Sequence, residues 1–136
     1  MKPAMSDTAL VLEILSQIKT AVERILRRFA PVDSVAFFLD SERGLEKLDA
    51  ICMQLIAIGE SLKNLDKVAG LELLQGYPQI DWKSAKGMRD IITHHYFDLD
   101  AEAVFNVCKT NLPEMTPVLQ RMIEFTKEAS PLNCEM

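Results

Sequence analysis

Arg89, His94, His95 and Tyr96 fall within one short stretch, Gly87-Met88-Arg89-Asp90-Ile91-Ile92-Thr93-His94-His95-Tyr96-Phe97-Asp98, which holds both histidines of the chain and one of its two tyrosines. A histidine can take a proton from a ribose 2′-hydroxyl near neutral pH. An arginine fork can neutralise the charge that develops on a scissile phosphate. Together the two groups suffice for RNA cleavage by internal transesterification without a metal. Tyr96 would hydrogen-bond a phosphate or orient the imidazole, and its phenol is a candidate acceptor for a covalent modification. The bland alternative is a pair of histidines that hydrogen-bond the end of a helix and do no chemistry.

Geometry decides whether these groups can meet. On a continuing helix Arg89 and His94, five residues apart, would point about 140° away from each other. If the helix ends near Thr93 or His94, the following chain can extend, and His94 and Tyr96, two residues apart, project to one side. A helix end is therefore the expected setting, with a second subunit as a further source of groups. His95 is a reserve candidate, because it would prolong the inward stripe of a helix that did not stop. A metal site from His94, His95, Asp98 and Asp100 is disfavoured, since adjacent helical histidines diverge and no Glu-x-x-His pair is present. Neither a metal nor a cofactor is expected.

Three further residues lie near this chemistry. Lys83, Lys86 and Arg89 recur at three-residue spacing, so Lys86 would either steer a phosphate or belong to an ordinary solvated face. Glu60 follows Gly59 beside a broad apolar stripe, which aims it at a cleft or leaves it on the surface. Asp90 follows the arginine directly and would pair with it or repel an anionic substrate.

The elements that must position these residues read as helices. Ser6 or Asp7 caps a first helix with inward Leu10, Ile14, Leu15, Ile18, Ala21, Val22, Ile25, Leu26 and Phe29, ended by Pro31. A short apolar turn through Phe37, Phe38 and Leu39 precedes a long helix with Leu45, Leu48, Ile51, Cys52, Leu55, Ile56, Gly59 and Leu62, expected to stop near Asn64. Residues 66–76 read as a loop with one helical turn. Pro78 then breaks the chain, and Asp81 caps the helix of the motif, whose stripe is Trp82, Ala85, Met88 and Ile92. Gly87, unfavourable in a helix by about 1 kcal/mol relative to alanine, suggests close approach of another helix there. Asp100 caps a helix to about Asn111 with inward Ala103, Val104, Val107 and Cys108. Pro113 ends it or begins the last helix, roughly 114–128, with inward Met115, Val118, Leu119, Met122, Ile123 and Phe125. A frayed tail is expected over 129–136. Short connections between long amphipathic helices imply an all-α, antiparallel bundle of four to five helices in one domain, 1–136.

Composition limits the rest. Fifteen Lys and Arg against twenty Asp and Glu give a net charge of −5, so no global basic field holds nucleic acid. Cys52, Cys108 and Cys134 are odd in number and widely spaced, which suggests neither a disulfide framework nor a zinc site and fits a reducing cytoplasm. Glu13 interrupts the apolar stretch after the amino terminus, and no window approaches the ~20 residues of a membrane span. A soluble, cytoplasmic protein is expected.

The motif is more specific than the composition. Tyr77-Pro78, Ile80-Asp81-Trp82, Gly87-Met88-Arg89 and His94-x-Tyr96 resemble the HepT-like branch of the HEPN superfamily, and the similarity extends through Gly59-Glu60 and the helix after Asp100, over roughly residues 8 to 127. The resemblance implies a helical bundle that forms a homodimer with two copies of the motif in a cleft at the interface. It implies a toxin ribonuclease in which Arg89 and His94 are the catalytic pair. It also implies a cognate nucleotidyltransferase antitoxin that attaches AMP to Tyr96, adding bulk and negative charge where the RNA phosphate must sit. Asp90 departs from the family's usual asparagine. The alternative it raises is a noncatalytic module that binds a nucleotide or a nucleotidyltransferase partner.

Overall fold

A computed structural model describes residues 5–129, without the side chains of Met5, Ser6 and Tyr96. The expected tail and Cys134 therefore lie outside the described residues, apart from Ala129. Among the described residues the regular structure is helical, with no strand. The long helices are α1 (Met5–Phe29), α3 (Glu42–Ala69), α5 (Trp82–His94) and α7 (Leu112–Glu128), joined by the short α2 (Val35–Leu39), α4 (Glu72–Gln75) and α6 (Ala101–Asn106).

Apolar residues at three- and four-residue spacing build the core. Leu15, Val22 and Ile25 of α1 meet Ile51, Leu62 and Leu65 of α3 and Leu119 and Met122 of α7, all of them shut off from solvent. Helix α1 packs on α3 and α7, while α5 lies chiefly against α3. The all-α bundle is as expected, and the motif helix sits at its edge, held by one long neighbour. Four residues leave the expected inward faces: Leu10, Leu45, Ala103 and Phe125 are exposed, and Val11 and Ala101 are buried instead.

Helix α3 outlasts its expected end at Asn64 by more than a turn. Leu65 is fully buried and neither glycine nor proline lies between Asn64 and Gly70, which ends the helix at a φ of 85°. Its start is fixed by Ser41, whose hydroxyl accepts from the Gly44 N–H at 3.0 Å. A Cβ on Gly44 would lie 1.9 Å from the Phe37 carbonyl oxygen, so only glycine lets α2 fold back so tightly on α3.

Pro113 begins a helix instead of ending one. It stands in the first turn of α7, where a missing N–H costs no hydrogen bond within that helix. A π turn over Val107–Asn111, with the Leu112 N–H bonded to the Val107 carbonyl five residues back, joins α6 to α7 without a break.

Candidate active site at the end of helix α5

Two local devices set the direction of α5. The Trp82 indole N–H donates to the Tyr77 carbonyl at 2.9 Å, tying the proline-bearing turn to the helix it precedes. Asp81 caps the helix by accepting from the Ser84 N–H at 3.1 Å and the Ser84 hydroxyl at 2.7 Å. These bonds hold the Asp81 carboxyl below its ordinary range. Trp82 and Ile92 are buried, with Ala85 and Met88 partly so, which confirms the stripe.

The close approach to α3 occurs at Gly59, not at Gly87. A Cβ on Gly59 would lie 3.1 Å from the Arg89 Cβ and 3.2 Å from the Lys86 carbonyl oxygen, whereas one on Gly87 would have nothing within 4 Å. The bare backbone of Gly59 thus brings α3 directly under the arginine of the motif.

That contact puts the next turn of α3 beside Arg89. Arg89 Nε lies 2.9 Å from Glu60 Oε1, and a terminal guanidinium nitrogen lies 3.0 Å from Asp90 Oδ1. Lys63 Nζ is 3.7 Å from the other oxygen of Asp90. Four charges from two helices form one exposed network, two positive and two negative. The Arg89 hydrogen bond, helped by the Lys63 charge, holds the Asp90 carboxyl below its ordinary range; the same bond, with Glu60, pushes the Arg89 guanidinium higher still. Lys86 is not one of this group, because it pairs with Asp66, a residue mostly covered by protein.

Helix α5 stops within the motif. His94 is the last residue of α5, His95 is its C-cap, and a 3₁₀ turn follows over Tyr96–Asp98. His95 is exposed and does not prolong the inward stripe. His94 Nδ1 lies 2.8 Å from the Asp90 carbonyl oxygen. A carbonyl can only accept, so Nδ1 carries the ring proton and Nε2 of the neutral imidazole keeps its lone pair. The exposed ring therefore offers a base, fixed in orientation by its own helix. Thr93 spends its hydroxyl on the Arg89 and Asp90 carbonyls, at 2.9 and 3.3 Å. The Tyr96 side chain lies outside the described residues.

Sequence reasoning missed Lys63. The signal was there in the spacing of Gly59, Glu60 and Lys63, since residues three and four apart share a helix face. The thiols of Cys52 and Cys108 play no part: both are buried, and burial pushes each up to about 12.

The Ribonuclease HepT-like family matches residues 18–122, from the middle of α1 well into α7. The chain belongs to this family. Two similar proteins of Methanocaldococcus jannaschii, both provisionally named RNases, are 32% identical over 79 residues and 29% identical over 75 residues. The first match covers 58% of this chain and 65% of the relative, the second 55% and 59%. A Thermococcus cleftensis protein provisionally named ribonuclease HepT is 26% identical over 73 residues, 54% of this chain and 63% of its own length. The chain thus spans less than two thirds of the relatives it matches. No solved structure matches it significantly. Among the described residues, no helix of this HepT-like chain is long and apolar enough to cross a membrane.

Proposed function

We propose that this HepT-like protein is a toxin-type endoribonuclease, with His94 as general base and Arg89 as the cation that stabilises the reacting phosphate. The observation that carries the reading is the His94 Nδ1 contact to the Asp90 carbonyl at 2.8 Å, which leaves Nε2 as the base on the helix that carries Arg89. His94 Nε2 takes the proton of a ribose 2′-hydroxyl, and the 2′-oxygen attacks the adjacent phosphorus. The bond to the 5′-oxygen breaks, that oxygen takes a proton from water while His94 returns its own to solvent, and the products are a 2′,3′-cyclic phosphate and a 5′-hydroxyl. Arg89 leaves Glu60 or Asp90 to meet the phosphate oxygens, exchanging one anionic partner for another. The family resemblance supports a homodimer that brings two such motifs to one cleft, and a nucleotidyltransferase antitoxin that silences the site by adenylylating Tyr96. A reducing cytoplasm suits such a protein and its thiols.

Cleavage of single-stranded RNA in the presence of a chelator tests the reading. His94→Ala and Arg89→Ala should each lower the rate by roughly 10²- to 10⁴-fold without changing the helical circular dichroism. Wild type and both variants cutting at the same rate would sink it. Co-expression with a cognate nucleotidyltransferase should add the mass of AMP to a peptide containing Tyr96.

A second reading has one observation in its favour: both cations of the network already face carboxylates. On that reading the chain is a noncatalytic module that binds a nucleotide or a nucleotidyltransferase. Cleavage that depends on His94 rejects it.

A further inference from the structure

Charge is poorly placed to hold RNA at this site. The chain carries a net −5, Arg89 is shared by Glu60 and Asp90, Lys63 faces Asp90, and Lys86 is tied to Asp66. A strand that engages Arg89, Lys63 or Lys86 through a phosphate must break an ion pair, so these contacts supply little net affinity. Binding energy has to come from another part of the nucleotide.

Phe97 offers it. This residue is 97% exposed, the most exposed large apolar side chain among the described residues, and it sits in the turn that follows His94 directly. The turn is closed by the Asp98 N–H bonding to the His95 carbonyl at 3.0 Å, so the three residues from His94 to Phe97 rise by only about 6 Å. Ile91, one helical turn before His94 and His95, is a second exposed apolar side chain of this segment, at 53%. Of the other phenylalanines, Phe38 is buried and Phe29, Phe37 and Phe105 are partly so, which sets Phe97 apart.

We propose that Phe97 is a stacking platform for a nucleobase of single-stranded RNA next to the scissile phosphate. The base lies on the ring while its ribose and phosphate reach His94 and Arg89. This rests on the ribonuclease reading above and deepens it: recognition is of unpaired bases, not of backbone charge, so duplex RNA is excluded because its bases are already stacked.

The test uses the full chain carrying His94→Ala, which binds without cutting, and two labelled probes of equal length: an oligouridylate and an abasic ribose-phosphate oligomer. The parent should bind the oligouridylate more tightly than the abasic strand. Phe97→Leu should weaken oligouridylate binding by roughly 5- to 150-fold, the range expected for one stacked base, and leave abasic binding unchanged. Phe97→Trp should retain the parent's affinity. Equal affinity of Phe97→Leu and parent for oligouridylate overturns the proposal, as does an equal loss on both probes. A shift of Phe97→Leu from dimer to monomer in sedimentation, with unchanged oligouridylate affinity per dimer, assigns the ring to a second copy of the chain and also overturns it. With His94 restored, cleavage that is indifferent to Phe97→Leu removes the platform but keeps the ribonuclease reading. A wild-type chain that neither binds nor cuts RNA removes both.

Discussion

His94 and Asp90 are joined through the main chain: the imidazole Nδ1 lies 2.8 Å from the Asp90 carbonyl oxygen, so the side chain at position 90 does not set the ring's orientation. That side chain acts elsewhere, on Arg89 and Lys63.

Asp90→Asn should therefore spare the base and loosen the cations. Asparagine keeps an oxygen for Arg89 but removes the charge that repels a phosphate and detains Lys63. In a His94→Ala background, affinity for a short single-stranded RNA at fixed salt should rise by up to about tenfold, and its salt dependence should steepen as Lys63 becomes available. Weaker binding by the variant would mean that Asp90 holds Arg89 in place for the substrate.

Gly59 and Gly87 should respond in opposite directions. Alanine at Gly87 meets open space and gains helix propensity, so Gly87→Ala should stabilise by about 0.5–1 kcal/mol and raise the melting temperature by a few degrees. Valine at Gly59 would press on the Arg89 Cβ, 3.1 Å from an ideal Cβ, and on the α5 main chain. Gly59→Val should cost about 1–3 kcal/mol in urea unfolding and lower cleavage along with it, because α5 must move off α3. Equal stabilities for the two variants would show that the helices adjust without strain.

The two glycines also show what the sequence can and cannot tell. Helix propensity flags both as costly, and it singled out Gly87, the one beside the motif. Which glycine faces a neighbour depends on how two helices cross, and that is not a local property. The end of α5 at His94 was readable, because the motif needed it and Asp100 caps a new helix soon after. The Arg89 network was readable only in part. Glu60 and Asp90 are candidates from their positions and Lys63 shares the Glu60 face of α3, but which charge meets which depends on how α3 and α5 cross. The end of α3 is hidden from the sequence for a similar reason: Leu65 is buried by tertiary packing, and Asp66 meets Lys86 of the neighbouring helix.

Cys52 and Cys108 should be silent toward thiol reagents in the native protein. Each is buried with its thiol pushed up to about 12, so the thiolate is scarce as well as covered. In a Cys134→Ser variant, a maleimide at pH 7.5 should leave the folded chain unmodified and add two labels after unfolding in guanidinium. Fast labelling of the folded variant would show that the core around α3 and the π turn opens readily.

Lys86 and Asp66 form the least exposed ion pair of the described residues, with side chains 24% and 14% exposed. One Asp66 oxygen, Oδ1, is buried without a hydrogen-bond partner, so the carboxylate depends on Lys86 for compensation. Removing the lysine alone strands that charge. Lys86→Met should therefore destabilise by about 1–3 kcal/mol, less than a fully buried pair would cost because some solvent reaches both groups. Adding Asp66→Leu should recover most of the loss, since the stranded charge is then gone. Urea unfolding of the two single variants and the double variant separates this from a steering role. If Lys86 instead guides RNA, Lys86→Met would weaken RNA binding while leaving stability untouched.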